Sequence, residues 1–511
     1  MPRFLRILLM VLLWLILLGG GFVFYWIQDA NRFKPELEAL IEAQTGVPVR
    51  VAGDLAWRLW PPLQMSAESV SSRYQNQDWT VGRLELELDA LSVLRDPRRW
   101  RVRALRLVDA RVQQDDDVLE IETLAVRDFS PNTPAPLRTA LVYTAASQQP
   151  LPLGLDGTVQ FDPQSGALAL NGTEFDTTEA AGTCDLKVTP RSPATPAPSA
   201  RPEDLLPVDA LRSNDWSGTC RLDRLDLSGR RFSNVTAILA NEAGSSDTTL
   251  HFADFFGGTA DVNLAVDART TPVRWTLTPD LKQVDSKALL TWLQQDLDWL
   301  APLAYGGTLR FQGNSRNELL TSISGQTRFD GGKGQIDISA IKQQILSLAG
   351  QLQAGERVQR WPDVWSYQKF VGDWRIERQN HQLDFVLDNL SANASGTYDP
   401  LADDLDVLAE LTFHNDPALP VFDVDPLLYD LPIPLRCRGS LQQPQCLLDA
   451  QKAQRIVAKA LTNPEGSALR DQLNERIDQE VPAQYRDAAR ALLEMLGNGG
   501  NAAEENPAPE R

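Results

Sequence analysis

Leu84-Glu85-Leu86-Glu87-Leu88-Asp89 is the stretch that decides the fold. Apolar and acidic residues alternate strictly. Successive side chains of a strand point to opposite faces, so the segment reads as a β-strand with one dry and one wet face. Upstream the same period returns: Val49, Val51, Leu55, Trp57 and Leu59 fall on odd positions, interrupted by a Gly53-Asp54 turn or bulge and ended by Pro61-Pro62. Downstream, short strand candidates follow at 158–161, 167–170, 184–188, 220–227, 235–239, 259–266 and 273–277. Turn signals such as Asp162-Pro163-Gln164-Ser165-Gly166 join some of them as hairpins. No long helix interrupts this middle region, which reads as an antiparallel meander.

Ahead of the first strands, no charged residue occurs from Ile7 to Ile27. At ~1.5 Å per residue the run spans a ~30 Å hydrocarbon core. Arg3 and Arg6 precede it, so the positive-inside tendency puts the N-terminus in the cytoplasm and the rest of the chain across the membrane. A cleaved signal peptide is the rival. The run is long for a signal, and Gly19-Gly20-Gly21 is followed by further apolar and aromatic residues. Next, Phe33, Leu37, Leu40 and Ile41 recur at helical spacing, with Pro35 in the first turn and Gly46 at the C-terminal cap.

The chain has 511 residues and a net charge of -19, a balance that argues against nucleic acid as a partner. Four cysteines, Cys184, Cys220, Cys437 and Cys446, are able to pair in an extracytoplasmic body. Neighbours make the simplest pairing. Cys184 and Cys220 share a Gly-Thr-Cys-x-Leu pattern that would set two strands side by side, and Cys437 and Cys446 flank a turn-like segment at 439–444. The segments 130–152 and 188–207 are rich in Pro, Thr, Ala and Ser and read as loops or linkers. From Arg95 to Arg111 seven arginines surround Trp100. A patch for anionic headgroups and a solvated strand face near Asp115-Asp116-Asp117 both fit.

Further on, Leu289, Leu290, Leu293, Leu297 and Leu300 predict a helix over 286–303, followed by strands at 308–311 and 325–329. A Gly331–Ile338 segment then leads into a helix around 341–348. Strands are expected at 370–377, 382–387, 390–398 and 405–413, amphipathic helices at 450–460 and 483–496, and a disordered tail from 497. The glycine cluster at 331–334 lacks the Walker and dinucleotide spacings. The carboxylates of Asp399-Pro400-Leu401-Ala402-Asp403-Asp404 lack the central glycine and distal glutamate of a calcium loop and read as a hairpin turn. With three scattered histidines, no CxxC, no HExxH and no Gly-x-Ser-x-Gly, the expectation is no enzyme, no cofactor and no metal.

An apolar run, a short helix, Gln44-Thr45-Gly46-Val47-Pro48-Val49 and Val51-Ala52-Gly53-Asp54-Leu55-Ala56-Trp57-Arg58-Leu59-Trp60-Pro61 together resemble the N-terminal region of the AsmA family of bacterial envelope proteins. The helix-strand-strand order before Gly334-Gln335-Ile336-Asp337-Ile338, and Leu431-Pro432-Ile433-Pro434 with Gly439-Ser440-Leu441, are similar to that family's C-terminal part. The resemblance implies a mainly β protein in which a single N-terminal transmembrane helix leads into an elongated, curved, taco-like antiparallel β-groove with a few amphipathic helices. About 16 to 20 strands at ~4.8 Å would give a groove ~80 to 95 Å long. The expected segments are a cytoplasmic stretch 1–6, an inner-membrane anchor 7–27, an AsmA-like N-terminal β-region 28–129, a meander 130–279, an AsmA-like C-terminal β-region 280–449, helices 450–496 and the tail.

The implied function is passive phospholipid transfer along the groove in outer-membrane biogenesis, with acyl chains as partners and the bulk of the chain in the periplasm. Leu84, Leu86 and Leu88 are its candidate lining. The same leucines serve equally as the core of a closed sandwich, and a scaffold acting on outer-membrane protein assembly or targeting is the competing function.

Overall fold

A computed structural model describes residues 29–45, 47–58, 63–74, 77–89, 102–114, 117–144, 150–191, 201, 203–295, 297–339, 342–343, 346, 355–415, 422–424, 429–441, 444–452, 474–479, 481–487 and 489–491. The expected anchor (Ile7 to Ile27), Trp60-Pro61, the arginines at 95–101 and the tail from 497 lie outside these residues. No helix among the described residues is long and apolar enough to cross a membrane. The chain divides into two compact units, Met1–Thr248 and Thr249–Arg511.

In the first unit a 3-10 turn, Ala30–Phe33, leads into helix α1, Lys34–Thr45. Thirteen strands follow: β1 Val49–Val51, β2 Leu55–Arg58, β3 Leu63–Tyr74, β4 Gln77–Leu88, β5 Val102–Gln114, β6 Asp117–Phe129, β7 Ala135–Thr144, β8 Leu151–Asp162, β9 Ala167–Thr177, β10 Ala180–Pro190, β11 Asn214–Leu227, β12 Arg230–Phe232 and β13 Val235–Glu242. From β3 to β11 each pairs antiparallel with the next, β12 and β13 both pair with β11, and β1 and β2 both pair with β3. A short helix α2, Val208–Ser213, precedes β11.

The first edge is protected by the helical segment. The Val51 N–H donates to Glu38 Oε1 at 2.7 Å and the Leu55 N–H to Asn31 Oδ1 at 2.9 Å, so side chains satisfy N–H groups that would otherwise invite another chain. Gly53 allows the break between β1 and β2, because a Cβ there would stand 2.6 Å from the Glu68 carbonyl oxygen.

Strand β14, Ser245–Phe255, contains the unit boundary. The second unit continues with β15 Gly258–Asp267, β16 Arg274–Asp285, helix α3 Ser286–Trp292, β17 Trp299–Leu300, β18 Pro302–Gln312, helix α4 Arg316–Ser322, β19 Ser324–Asp330 and β20 Gly334–Asp337. Helix α5 Gly355–Gln359 comes next, then β21 Val364–Tyr367, β22 Phe370–Glu377, β23 Asn380–Leu387, β24 Leu390–Asp399, β25 Asp404–Phe413, β26 Ile433–Gly439 and β27 Gln445–Leu448. Its main ladder runs β15-β16-β18-β19-β22-β23-β24-β25-β26-β27, antiparallel throughout, and β17, β20 and β21 form a separate small sheet.

The protein is mainly β, as expected, with corrections. The proposed linker 130–152 holds β7 and the start of β8. Its Pro, Thr and Ala content hides a period of two in which Ala135, Leu137 and Thr139 are buried while Pro136 and Arg138 are exposed. The helix expected over 286–303 stops at Trp292. Leu293, Leu297 and Leu300 are exposed, and the chain turns instead into β17 and β18. Within 483–496 the described residues hold a 3-10 turn, Ala483–Tyr485, and helical residues at 486–487 and 489–491. Of the helices expected at 341–348 and 450–460, only 342–343, 346 and 450–452 are described, and these are helical. The 27 strands among the described residues exceed the about 16 to 20 expected, partly because the Pro, Thr and Ala of β7 and the Ser and Thr of β14 mask their alternation in the sequence.

Candidate functional site: an apolar sheet face and its polar reverse

Residues directly opposite each other on antiparallel strands share a face, so the register can be read as rows. Leu84 stands in the row Leu55, Ala67, Leu84, Leu107, Leu124, Thr139, Leu155, Phe175, which crosses from β2 to β9. Leu86 stands in the row Trp57, Met65, Leu86, Leu105, Val126, Leu137, and Leu88 in the row Leu63, Leu88, Val102, Phe129. The three leucines picked from the alternation of one strand thus belong to three parallel apolar rows.

Two further rows lie beyond an irregular line. They are Val51, Val70, Val81, Ala110, Ile121, Leu141, Leu153 and Val49, Ser72, Trp79, Val112, Leu119, Tyr143, Leu151. Simple alternation would put Ala67 and Val70 on opposite faces, yet both pack in one cluster with Val51 and Leu55. Ser69 between them has φ 49, and Asp109 on β5 has φ 53, left-handed conformations that reset the alternation. Gly82 lies between them on β4. A Cβ there would stand 3.0 Å from the Asp109 Cβ and 3.2 Å from the Val108 carbonyl oxygen. This crease keeps all five rows on one face. Nothing in the hydrophobic pattern announces it, although Gly82 inside a strand was the available signal.

The face is only partly dry. Leu55, Val126 and Leu137 are buried, and Val126 and Leu137 pack with Ala135 and Val159. Leu84, Leu86, Leu88, Leu105, Leu107 and Leu124 are half-buried, while Trp79, Tyr143 and Leu151 are 42%, 40% and 38% exposed. Leucines facing a second packed sheet would be sealed from water. From β3 to β9 the rows cross six strand spacings of ~4.8 Å, about 29 Å.

The reverse of the same strands is charged. Arg83 bridges Glu68 at 3.2 Å, Arg111 bridges Glu120 at 3.1 Å, and Arg138 pairs with Asp156. Of the arginine run read in the sequence, Arg103, Arg106 and Arg111 are described, and all are exposed.

The four cysteines are joined as neighbours, Cys184 to Cys220 and Cys437 to Cys446, each pair directly opposite across adjacent strands. The two Gly-Thr-Cys-x-Leu segments therefore do lie side by side, Gly182 opposite Leu222 and Leu186 opposite Gly218.

In the second unit the Asp399–Asp404 segment is the β24–β25 turn. Asp399 Oδ1 accepts from the N–H groups of Leu401 at 2.9 Å and Ala402 at 3.2 Å. No group of His, Cys, Asp and Glu among the described residues has the arrangement to hold a metal ion. His251 meets Asp261 at 2.6 Å, and His414 meets Asp430 at 2.9 Å. His381 lies between Trp374 and Tyr398, ring centroids 5.7 and 6.0 Å away, and burial holds its pKa below the ordinary histidine value.

Comparison with known proteins yields one match: the model of the AsmA family covers residues 1–97, from the N-terminus through β4. No curated protein and no solved structure matches. The family match thus covers α1, the β1–β2 edge and the Leu84-Leu86-Leu88 strand, so that the first 97 residues of the chain are similar to the AsmA family.

Proposed function

We propose that this protein is held at the bacterial inner membrane by its N-terminal apolar run, faces the periplasm, and shields phospholipid acyl chains on the apolar face of its sheet during passive transfer toward the outer membrane. It acts without catalysis. The observation that carries the reading is the half-buried state of Leu84, Leu86, Leu88, Leu105, Leu107 and Leu124 across adjoining strands. An acyl methylene laid on such a surface gains ~0.8 kcal/mol over water. At about 29 Å the rows exceed the ~15 Å of hydrocarbon that one leaflet contributes, so a whole chain fits along them. Two disulfides agree with an oxidising compartment.

The test is mass spectrometry of lipid bound to the full-length chain purified in mild detergent, compared with Leu84→Asp/Leu86→Asp and with Leu84→Asn. Phospholipid on the parent and its loss from variants with unchanged circular dichroism are expected. Equal lipid on folded variants would remove the proposal and favour a scaffold that binds envelope proteins.

A further inference from the structure

On the polar reverse of the first unit's sheet, two neighbouring rows run Arg58, Gln64, Glu87, Ala104, Arg127 and Ala56, Ser66, Glu85, Arg106, Ala125, Arg138. Together with Arg83 they line a depression of 770 Å³. Five arginines and two glutamates line it, in a chain whose net charge is -19. Arg83 is engaged by Glu68 and Glu85, and Arg138 by Asp156. The side chains of Arg58, Arg106 and Arg127 make no hydrogen bond or ion pair with a described residue, and all three residues are exposed.

The register explains why a hollow forms there. Arg106 stands opposite Ala125, and Arg127 opposite Ala104, so arginine and alanine alternate like the squares of a chessboard. Arg138 stands opposite the same Ala125. Arg127 is therefore the diagonal neighbour of both Arg106 and Arg138, at a separation of about 7–8 Å and somewhat less between Cβ atoms. The two alanines line the depression between the arginines. Arginine forks at that spacing suit one tetrahedral anion held by two or three side chains, each giving paired N–H donors to its oxygens.

We infer that this depression is a binding site for a phosphate group, carried by a phosphodiester headgroup or by a soluble phosphate, with Arg106 and Arg127 as its principal ligands and Arg58 and Arg138 at its rim. It lies on the face away from the apolar rows and does not rest on the lipid reading. The arginine run seen in the sequence supplies one ligand, Arg106. The others come from strands the linear run does not include.

The experiment is titration calorimetry on the full-length chain in an uncharged detergent, with two probes: inorganic pyrophosphate, and glycerophosphoglycerol, which is a phosphodiester headgroup without tails. The parent is expected to bind at least one, more weakly as salt rises. Arg106→Gln/Arg127→Gln should weaken binding at least tenfold, while Arg106→Lys/Arg127→Lys, which keeps charge without the fork, should fall between. Binding of glycerophosphoglycerol alone assigns the site to a lipid headgroup, and of pyrophosphate alone to a soluble phosphate. Both exchanged residues are exposed and unpaired, so the variants should melt as the parent does. No binding of either probe by the parent, or equal binding by the Gln variant, overturns the inference.

Discussion

The row Leu63, Leu88, Val102, Phe129 in the first unit and the row Phe370, Leu387, Leu390, Phe413 in the second have the same chemistry and opposite fates. In the second unit Leu387, Leu390 and Phe413 are buried, and in the first only Val102 is. The difference lies in what covers them. The small sheet β17-β20-β21 brings Trp299, Trp365 and Tyr367 over the second unit's strands, where Phe370 meets Trp299 at 5.1 Å and Tyr367 at 5.6 Å. Phe422 lies against Trp365 at 3.7 Å and Trp361 at 5.0 Å. The polar ends are satisfied too: Trp299 Nε1 donates to the Tyr367 hydroxyl at 2.6 Å, and Trp365 Nε1 to Asp388 Oδ2 at 3.0 Å. Alternating apolar strands therefore specify a dry face but not its occupant. A second layer decides whether that face becomes core.

The largest expected effect breaks the covered end. Trp365→Ala removes a buried ring and leaves Asp388 Oδ2 without its indole donor, although Oδ1 still accepts from the Gln368 and Lys369 N–H groups, and should cost about 3–5 kcal/mol in denaturant unfolding. Leu86→Ala on the half-buried face should cost about 1 kcal/mol or less, because little buried volume is lost. Comparable losses at both positions would mean that the first unit's face is a packed core after all. Next come the disulfides, each worth about 2–4 kcal/mol. Cys184–Cys220 spans 36 residues and Cys437–Cys446 spans 9, so replacing the first pair by serine should cost about 1 kcal/mol more than replacing the second. Equal melting shifts would reject this loop-length account.

Gly82→Val addresses the crease. Its branched side chain meets Asp109 and Val108 on β5, and a loss of about 1–3 kcal/mol is expected, against about 0.5 kcal/mol for an exposed strand position such as Thr80→Val. A neutral Gly82→Val would show that the crease is not a close approach.

The smallest effect is a pH dependence in the second unit. Burial lowers the pKa of His381 in the folded chain below 6.5, so the unfolded state binds more protons once pH drops below about 6.5. Stability should decline as pH falls from there and level off below the lowered folded value. His381→Leu should flatten that part of the profile, and an unchanged profile would show that His381 titrates normally.

Much of this contrast was legible in the residues, and the rest was not for identifiable reasons. The alternation of Leu84, Leu86 and Leu88 gave the strand and its face directly, and the Gly53-Asp54 break fell where β1 gives way to β2. The twin Gly-Thr-Cys-x-Leu patterns placed two strands side by side because a shared spacing survives antiparallel pairing. The crease depends on the backbone conformation of Ser69 and Asp109, which no apolar period records. Leucines at helical spacing around Trp299 predict a helix there, whereas tertiary packing draws Trp299 into β17. The arginine depression is hidden because its ligands come from four strands and meet only through register.

The central claim, that the first unit's apolar face carries lipid chains while its reverse does not, is tested most directly by site-specific photocrosslinking in the bacterial envelope. A photoreactive residue would be placed at Leu86 or Leu107 on one face, at Thr80 or Glu120 on the other and away from the arginine depression, and at Phe413 in the covered end of the second unit. Adducts of phospholipid mass at Leu86 and Leu107, with none at Thr80, Glu120 or Phe413, are the expected result. Adducts of equal yield on both faces, or protein adducts alone at Leu86 and Leu107, would contradict it.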